Sequence, residues 1–369
     1  MNRKILILRS NPCDPDPRVE KEARALSKIA EVEIFAWDRE SRSEREENLA
    51  FAKISRFKFR APYGKIGLIF ALPFWGLRVA FKALFARYDI LHACDFDTYF
   101  PAILAAKLRR KKVVYDIFDF YAEMINLPSF ICRPIAWLDK KLLRLADLVI
   151  LADKSRRVQI RGSRPKKLVY IYNTPEVKIA PPVKPRKNYF FYAGLLSKDR
   201  YIKELLELFA KNPNWHLEIA GWGPEDDLVK KYAKKFKNIE YLGKIPYAEV
   251  IKKTVQTSVC FAFYDPIMPN NRLASPNKLF EAMALAKPII TNPDTTMADF
   301  VLKNKIGSVV DPKNQNQLEK IFKKYLGDPS LCLKTGLHAQ KLFQKEYSWE
   351  IMRERLLGAY STLPNPSRS

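Results

Sequence analysis

Short apolar runs rich in β-branched and aromatic residues alternate along the chain with longer stretches whose apolar residues recur at helical spacing. The runs are ILIL (5–8), VEIFAW (32–37), ILHA (90–93), VVYDI (113–117), LVILA (148–152) and LVYIY (168–172). They continue with YFFYAG (189–194), HLEIAG (216–221), IEYLG (239–243), VCFAF (259–263), PIIT (288–291) and SVV (308–310). Several are apolar throughout rather than alternating, the pattern of parallel strands buried on both faces. Val19–Ile29, Ile202–Lys211 and Leu279–Ala286 carry the helical spacing. Strand and helix in alternation predict right-handed βαβ units and an α/β fold built on doubly wound parallel sheets.

The alternation pauses at NTPEVKIAPPVKPRK (173–187), where Pro175, Pro181, Pro182 and Pro185 stiffen a linker. Two α/β domains follow, 1–180 and 186–345, with a last helix over 347–361 and a disordered tail, TLPNPSRS, from 362. The length of 369 residues suits two domains with a core each.

Charge narrows the partners. Lys plus Arg number 65 and Asp plus Glu 40, a net +25 that points to nucleic acid, a membrane surface or phosphorylated substrates. Helix-turn-helix, RNP-type and zinc signatures are absent from the sequence, so a specific nucleic-acid partner is not expected. The five cysteines are scattered singly and the three histidines lie far apart, which argues against a metal site and for reduced thiols in a cytoplasmic protein. The N-terminal apolar run is too short for a signal peptide, and the longest weakly polar stretch, 66–77, is too short to span a bilayer.

Ligands of open parallel sheets bind beyond the carboxyl ends of the strands, and unusual polar residues collect there. Arg18, His92, Asp95, Asp116 and Asp119 fall at such exits in the first half, and Gly194–Arg200, Gly221–Gly223 and Asp265–Glu281 in the second. In SPNKLFEAMALAKPII (275–290), Ser275 suits an N-cap and Pro276 the first helical position. The N–H groups of Asn277 and Lys278 then face an anion, Lys278 adds its charge, and Glu281 lies one turn on, where a carboxylate accepts from a vicinal diol. Phosphate at a helix start and ribose one turn in describe a nucleotide along the helix; the plainer alternative is a surface Lys–Glu pair. Gly194 allows close approach of a ligand to the backbone, and Lys198 and Arg200 offer cations for a diphosphate. Trp222, between Gly221 and Gly223, offers a ring on which a base stacks. GxGxxG and Walker sequences are missing.

The order of these motifs resembles the family 4 glycosyltransferases of the GT-B fold, two Rossmann-like domains facing a cleft. DPDPRVEKEARALSK (14–28), DILHACDFDTYFPAILAAKL (89–108), VVYDIFDFYAEM (113–124) and YSWE (347–350) resemble family segments; SPNKLFEAMALAKPII resembles the subgroup that elongates lipid-linked or cell-surface glycans. The resemblance implies a nucleotide-sugar donor in the second domain, a glycan or polyprenyl-phosphate-linked acceptor in the first, and a last helix that packs back on the first. It implies retention of configuration and no cofactor beyond the nucleotide-sugar co-substrate. Carried over by position, Glu281 binds the ribose, Asn277 and Lys278 lie near the diphosphate, and Arg200 stabilises the departing diphosphate. Charge on that leaving group is met by Arg200, Lys278 and the helix start without a metal. Inversion instead needs a base, for which Asp95, Asp116 and Asp119 are the candidates. Leu273, Leu195 and Phe118 stand where the family has Glu, Arg and His. They keep two alternatives open: a nucleotide-sugar epimerase, and an inactive relative that binds the donor.

Between Phe51 and Tyr88 lie eight bases and no acid, a window that contains KIGLIFALPFWGLRVAFKALFAR, and Lys154–Lys167 hold seven more bases without an acid. The first stretch reads as an interfacial helix on an anionic membrane surface, the inner face of the cell membrane, with a core helix as the alternative.

Overall fold

Every apolar run named above forms a strand in the computed structural model, which describes residues 3–61, 65–124, 128–177, 179 and 181–364, with the backbone alone for 65–69. The expected tail lies outside the described residues from 365 onward, as do 178 and 180 of the proline-rich segment and the Lys65 side chain. The chain divides into a first unit of residues 1–172 with 350–369 and a second of 173–349.

The first unit runs β1 (Arg3–Arg9), α1 (Pro17–Leu26), β2 (Ala30–Asp38), β3 (Glu46–Leu49), β4 (Ala52–Lys58), α2 (Lys65–Phe85), β5 (Ile90–Cys94), α3 (Phe96–Leu108), β6 (Lys112–Ile117), α4 (Tyr121–Met124), α5 (Ser129–Leu142), β7 (Leu148–Leu151) and β8 (Leu168–Tyr170). The strands form one sheet in the order β3-β4-β2-β1-β5-β6-β7-β8, parallel except for β3. The β3–β4 hairpin is an addition to the sequence reading. The connections β4→β5, β5→β6, β6→β7 and β7→β8 all step the same way across the sheet. Right-handed crossovers therefore lay α2, α3, α5 and the segment 154–167 along one face, and α1 on the other. Trp75 of α2 is fully buried in the first layer, stacked 5.5 Å from Phe35 and 5.4 Å from Trp37.

The second unit runs β9 (Tyr189–Leu195), α6 (Ile202–Lys211), β10 (His216–Trp222), α7 (Asp226–Lys235), β11 (Ile239–Gly243), α8 (Tyr247–Val255), β12 (Cys260–Ala262), α9 (Pro269–Arg272), α10 (Asn277–Ala284), β13 (Ile289–Thr291), α11 (Thr296–Asn304), β14 (Gly307–Val309), α12 (Gln315–Gly327) and α13 (Pro329–Leu342). Its strands make two parallel three-stranded sheets, β11-β10-β9 and β12-β13-β14, whose apolar faces share one core through Tyr192, Ile219, Phe261 and Ile290.

The last helix, α14 (Trp349–Ser361), returns to the first unit. Its Tyr360 hydroxyl lies 2.5 Å from His92 Nδ1, on the sheet face that carries α1.

Candidate functional site

Near their carboxyl ends strands β9 and β10 lie side by side at Gly194 and Gly221, and sterics require glycine at the second. A Cβ on Gly221 would lie 1.8 Å from the Gly194 carbonyl oxygen, and one on Gly194 would lie 2.9 Å from Lys278 Nζ. A cavity of about 350 Å³ opens at this edge, lined by Gly194, Gly221, Trp222, Lys244 and Ile245 among others. Trp222 is 54% exposed, with the Lys244 ammonium 4.7 Å from its ring centroid, so one aromatic wall faces the open side.

The helix that brings cations to this edge starts one position later than expected. Pro276, not Ser275, is the N-cap of α10, and it offers no side-chain cap. Its carbonyl accepts from Leu279 N at 3.0 Å; among the described residues no acceptor meets the N–H groups of Asn277 and Lys278. The Ser275 hydroxyl is buried with no hydrogen-bond partner. This helix start therefore presents unmet donors, the condition for holding an anion.

Lys278 reaches back from the first turn, its Nζ 3.5 Å from the Tyr192 ring centroid. Burial pushes its pKa down to about 7, with Glu281 holding it up and Arg200 adding to the depression. Arg200 ends a 3-10 turn over Lys198–Arg200 and rests on Tyr264, 4.1 Å from the ring centroid. Its Nη1 donates to the Asp199 carboxylate and to Asn271 Oδ1, the latter at 3.2 Å. Burial works against the ionised form of Asp199, yet hydrogen bonds from Ser197 and Asn271, with the charge of Arg200, take its pKa below the usual range. Ionised Asp199 thus fixes the guanidinium and offsets part of its charge. Lys198 and Asn277 are exposed. Glu281 is buried, and the Tyr247 hydroxyl donates to its Oε1 at 2.9 Å. Of the departures from the family pattern in this unit, Leu195 is 40% exposed and Leu273 caps α9.

Asp199, Tyr192, Lys244, Tyr247 and Asn271 were not anticipated. The first was legible as an acid between two bases at a strand exit. Tyr247 lies 34 positions from its partner, and only the fold joins them.

In the first unit Arg18, His92 and Asp116 form a buried lattice. Arg18 Nη2 donates to both Asp116 oxygens at 2.8 and 3.1 Å, Nε lies 3.2 Å from Glu22, and Nη1 donates to the Ile171 carbonyl at 3.1 Å. His92 Nε2 is 3.6 Å from Asp116. Burial opposes the charge on Asp116, and Arg18 and His92 overcome it and lower its pKa; burial and the nearby Asp116 push Glu22 the other way, well up. Asp95, with left-handed backbone at φ 64°, accepts from Arg9 at 2.6 Å and from Phe118 N at 2.9 Å. Phe118 is stacked by two guanidiniums, Arg9 at 4.3 Å and Arg18 at 4.4 Å from its centroid. Asp119 keeps a carboxylate 37% exposed, paired with Arg156 at 2.8 Å. Truncating one member of a buried pair strands the other charge. Asp116→Ala is expected to lower stability by about 3–5 kcal/mol in urea denaturation.

Residues 173–342 match the family model described as glycosyl transferases group 1. A GDP-mannose-dependent monoacylated alpha-(1-6)-phosphatidylinositol monomannoside mannosyltransferase of Corynebacterium glutamicum is 26% identical over 204 residues, 54% of this chain and 50% of that protein. The chain spans about half the length of the curated relatives it matches. Among solved structures, sucrose-phosphate synthase from Thermosynechococcus elongatus superposes with a TM-score of 0.74 at 18% identity, covering 98% of this chain and 99% of that one. Anabaena HepE in complex with UDP and glucose superposes at 0.69 and 15%, covering 98% and 100%.

Proposed function

We propose, from its membership of the group 1 (family 4) glycosyltransferases and its GT-B fold, that this chain transfers a sugar from a nucleotide donor to a glycan or lipid-linked acceptor. One observation carries the reading: Lys278, Arg200 and the unmet amides of Asn277 and Lys278 gather at the edge where β9 and β10 end and a cavity of about 350 Å³ opens. Breaking an anomeric bond places negative charge on the departing diphosphate, and cations fixed beforehand at that place stabilise the transition state more than the ground state. Glu281 receives the ribose hydroxyls, and Trp222 with the cavity beside it receives the base. Reaction with retention and without a metal is part of the same proposal. On the acceptor side, Arg18, His92, Asp95 and Asp116 act as the buried frame, and Asp119 offers the more accessible carboxylate.

The test is a thermal-shift panel of UDP-, GDP-, ADP- and CMP-sugars, followed by incubation of the stabilising donor with and without acceptor. A ligand of the native state raises stability with the logarithm of its concentration over Kd. The expected result is one donor that is consumed only when a glycan or lipid-linked acceptor is present. A sugar altered without acceptor identifies an epimerase, and binding without consumption an inactive relative.

A lipid-linked acceptor sits at a membrane, and the outer faces of α2, α3 and α5 suit one. Phe74, Leu77, Phe81 and Phe85 on α2, Leu104 and Leu108 on α3, and Phe130 and Trp137 on α5 are all more than half exposed. The exposed positions of these helices carry bases, among them Arg78, Arg133 and Lys141, and no acid: Asp97 is largely covered and Asp139 fully buried. No described helix is long and apolar enough to cross a membrane. We assign this face to an anionic leaflet, where each base contributes about 1 kcal/mol and each large apolar side chain roughly 1.5–3 kcal/mol when fully buried. The triple variant Leu77→Ser/Phe81→Ser/Phe85→Ser is expected to co-sediment with anionic vesicles at least roughly tenfold more weakly, with unchanged thermal unfolding.

A further inference from the structure

The layer formed by α2, α3 and α5 ends in the acid-free segment 154–167 that joins β7 to β8, and this segment folds around a hollow. A 3-10 turn over Lys154–Val158 is anchored by Arg156 to Asp119 at 2.8 Å and by Gln159 to Glu123 at 2.7 Å. The chain then turns at Gly162, in the left-handed region at φ 84°. Between turn and strand lies a cavity of about 490 Å³. Its rim holds Arg157 and Arg161, both exposed, and neither meets a carboxylate among the described residues. Ser163 adds a hydroxyl oxygen, its proton given to the Ile160 carbonyl at 2.7 Å. Its floor is apolar, with buried Ile160 and half-buried Leu168.

We propose that this cavity binds a phosphate monoester carried on an apolar chain, the headgroup of an anionic lipid. Two forked guanidiniums and a hydroxyl acceptor match the oxygens and remaining proton of a phosphate monoester. Two unpaired cations at the mouth of an apolar hollow leave the charge and the floor to be met by one amphiphile. A nucleic acid would satisfy the arginines and leave the floor empty. Water-soluble inorganic phosphate would do the same.

Calorimetric titration of the full chain with dihexanoyl phosphatidic acid tests this without a bilayer, donor or acceptor, so the result stands apart from the transferase and membrane-face readings. The expected result is binding at least roughly tenfold tighter than that of inorganic phosphate or dihexanoyl phosphatidylcholine, the difference made by one or two charge-assisted hydrogen bonds together with the buried chain. Arg157→Ala/Arg161→Ala removes the preference. Arg157→Lys/Arg161→Lys, which keeps the charge and loses the forks, weakens it by a similar factor. Neither exposed side chain carries a contact on which folding rests, and the thermal unfolding of both variants checks this. Equal affinity for inorganic phosphate and the lipid overturns the proposal, as does an undiminished preference in the alanine variant. Short duplex DNA bound through the same two arginines with no lipid preference overturns it as well.

Discussion

Replacing Glu281 by alanine is expected to lower kcat/KM at least 100-fold while the protein stays folded. A carboxylate that accepts two hydrogen bonds from ribose hydroxyls loses about 1.5–3 kcal/mol for each. Even the lower end, about 3 kcal/mol, corresponds to a factor of roughly 100 in rate. The carboxylate can sustain this while Tyr247 occupies Oε1, since an ionised carboxyl offers about four lone-pair directions. Folding is spared because Tyr247 is 45% exposed and its hydroxyl turns to water once its partner is gone. Tyr247→Phe, which removes only the orienting bond, is expected to cost less. Near-normal turnover of the alanine variant, with full donor affinity, would remove Glu281 from the site. Steady-state kinetics with a matched unfolding curve settle the point.

Replacing Lys278 by methionine tests the other half of the site, where effects of about 100- to 1000-fold in kcat accompany loss of one preorganised charge stabiliser. The pH dependence makes the test specific. With its pKa pushed down to about 7, Lys278 is largely neutral above pH 7 in the free protein. A diphosphate favours the protonated form, so donor binding takes up a proton above pH 7. Donor affinity is therefore highest below pH 7 and falls by up to about tenfold per pH unit above it, and the methionine variant flattens this slope. Stability moves the opposite way. The unfolded chain holds the Lys278 proton up to its ordinary pKa of about 10.4, so the folded state gains stability from this residue as pH rises from 7 toward that value. At pH 7 the variant, which has no charge to desolvate, is expected to unfold at the same or a higher temperature than the parent. A donor affinity independent of pH in the parent would show that Lys278 does not face the diphosphate.

Strand positions were legible because parallel strands buried on both faces are written as unbroken apolar runs, and every such run formed one. The β3–β4 hairpin was not, since EENL is a polar edge strand and AKISRFK, paired between it and β2, interleaves polar with apolar residues and leaves no apolar run. Ser275 and Pro276 satisfy the local rules for N-cap and first helical position, yet backbone bonding puts the cap one residue later and leaves the serine hydroxyl buried without a partner. The partners of Arg200 and Glu281 are tertiary. Asn271 and Tyr247 come from α9 and the start of α8, and nothing in their local sequence marks them. The basic and apolar stretch 65–87 suggested a single helix at an interface. Only the sheet order shows that α3 and α5 extend the same exposed surface.

The return of α14 to the first unit has a consequence for biosynthesis. His92, Glu22 and Asp116 pack beside a tyrosine encoded 268 positions after the histidine, and the Arg3 guanidinium donates to the Leu363 carbonyl at 3.1 Å. The unit translated first is thus the last to be finished. While 173–349 emerge from the ribosome and gain every strand they need, the earlier half waits with an ionisable cluster open to water. A released chain that ends at residue 349 should accordingly display a protease-resistant second half joined to a first half that is still digestible.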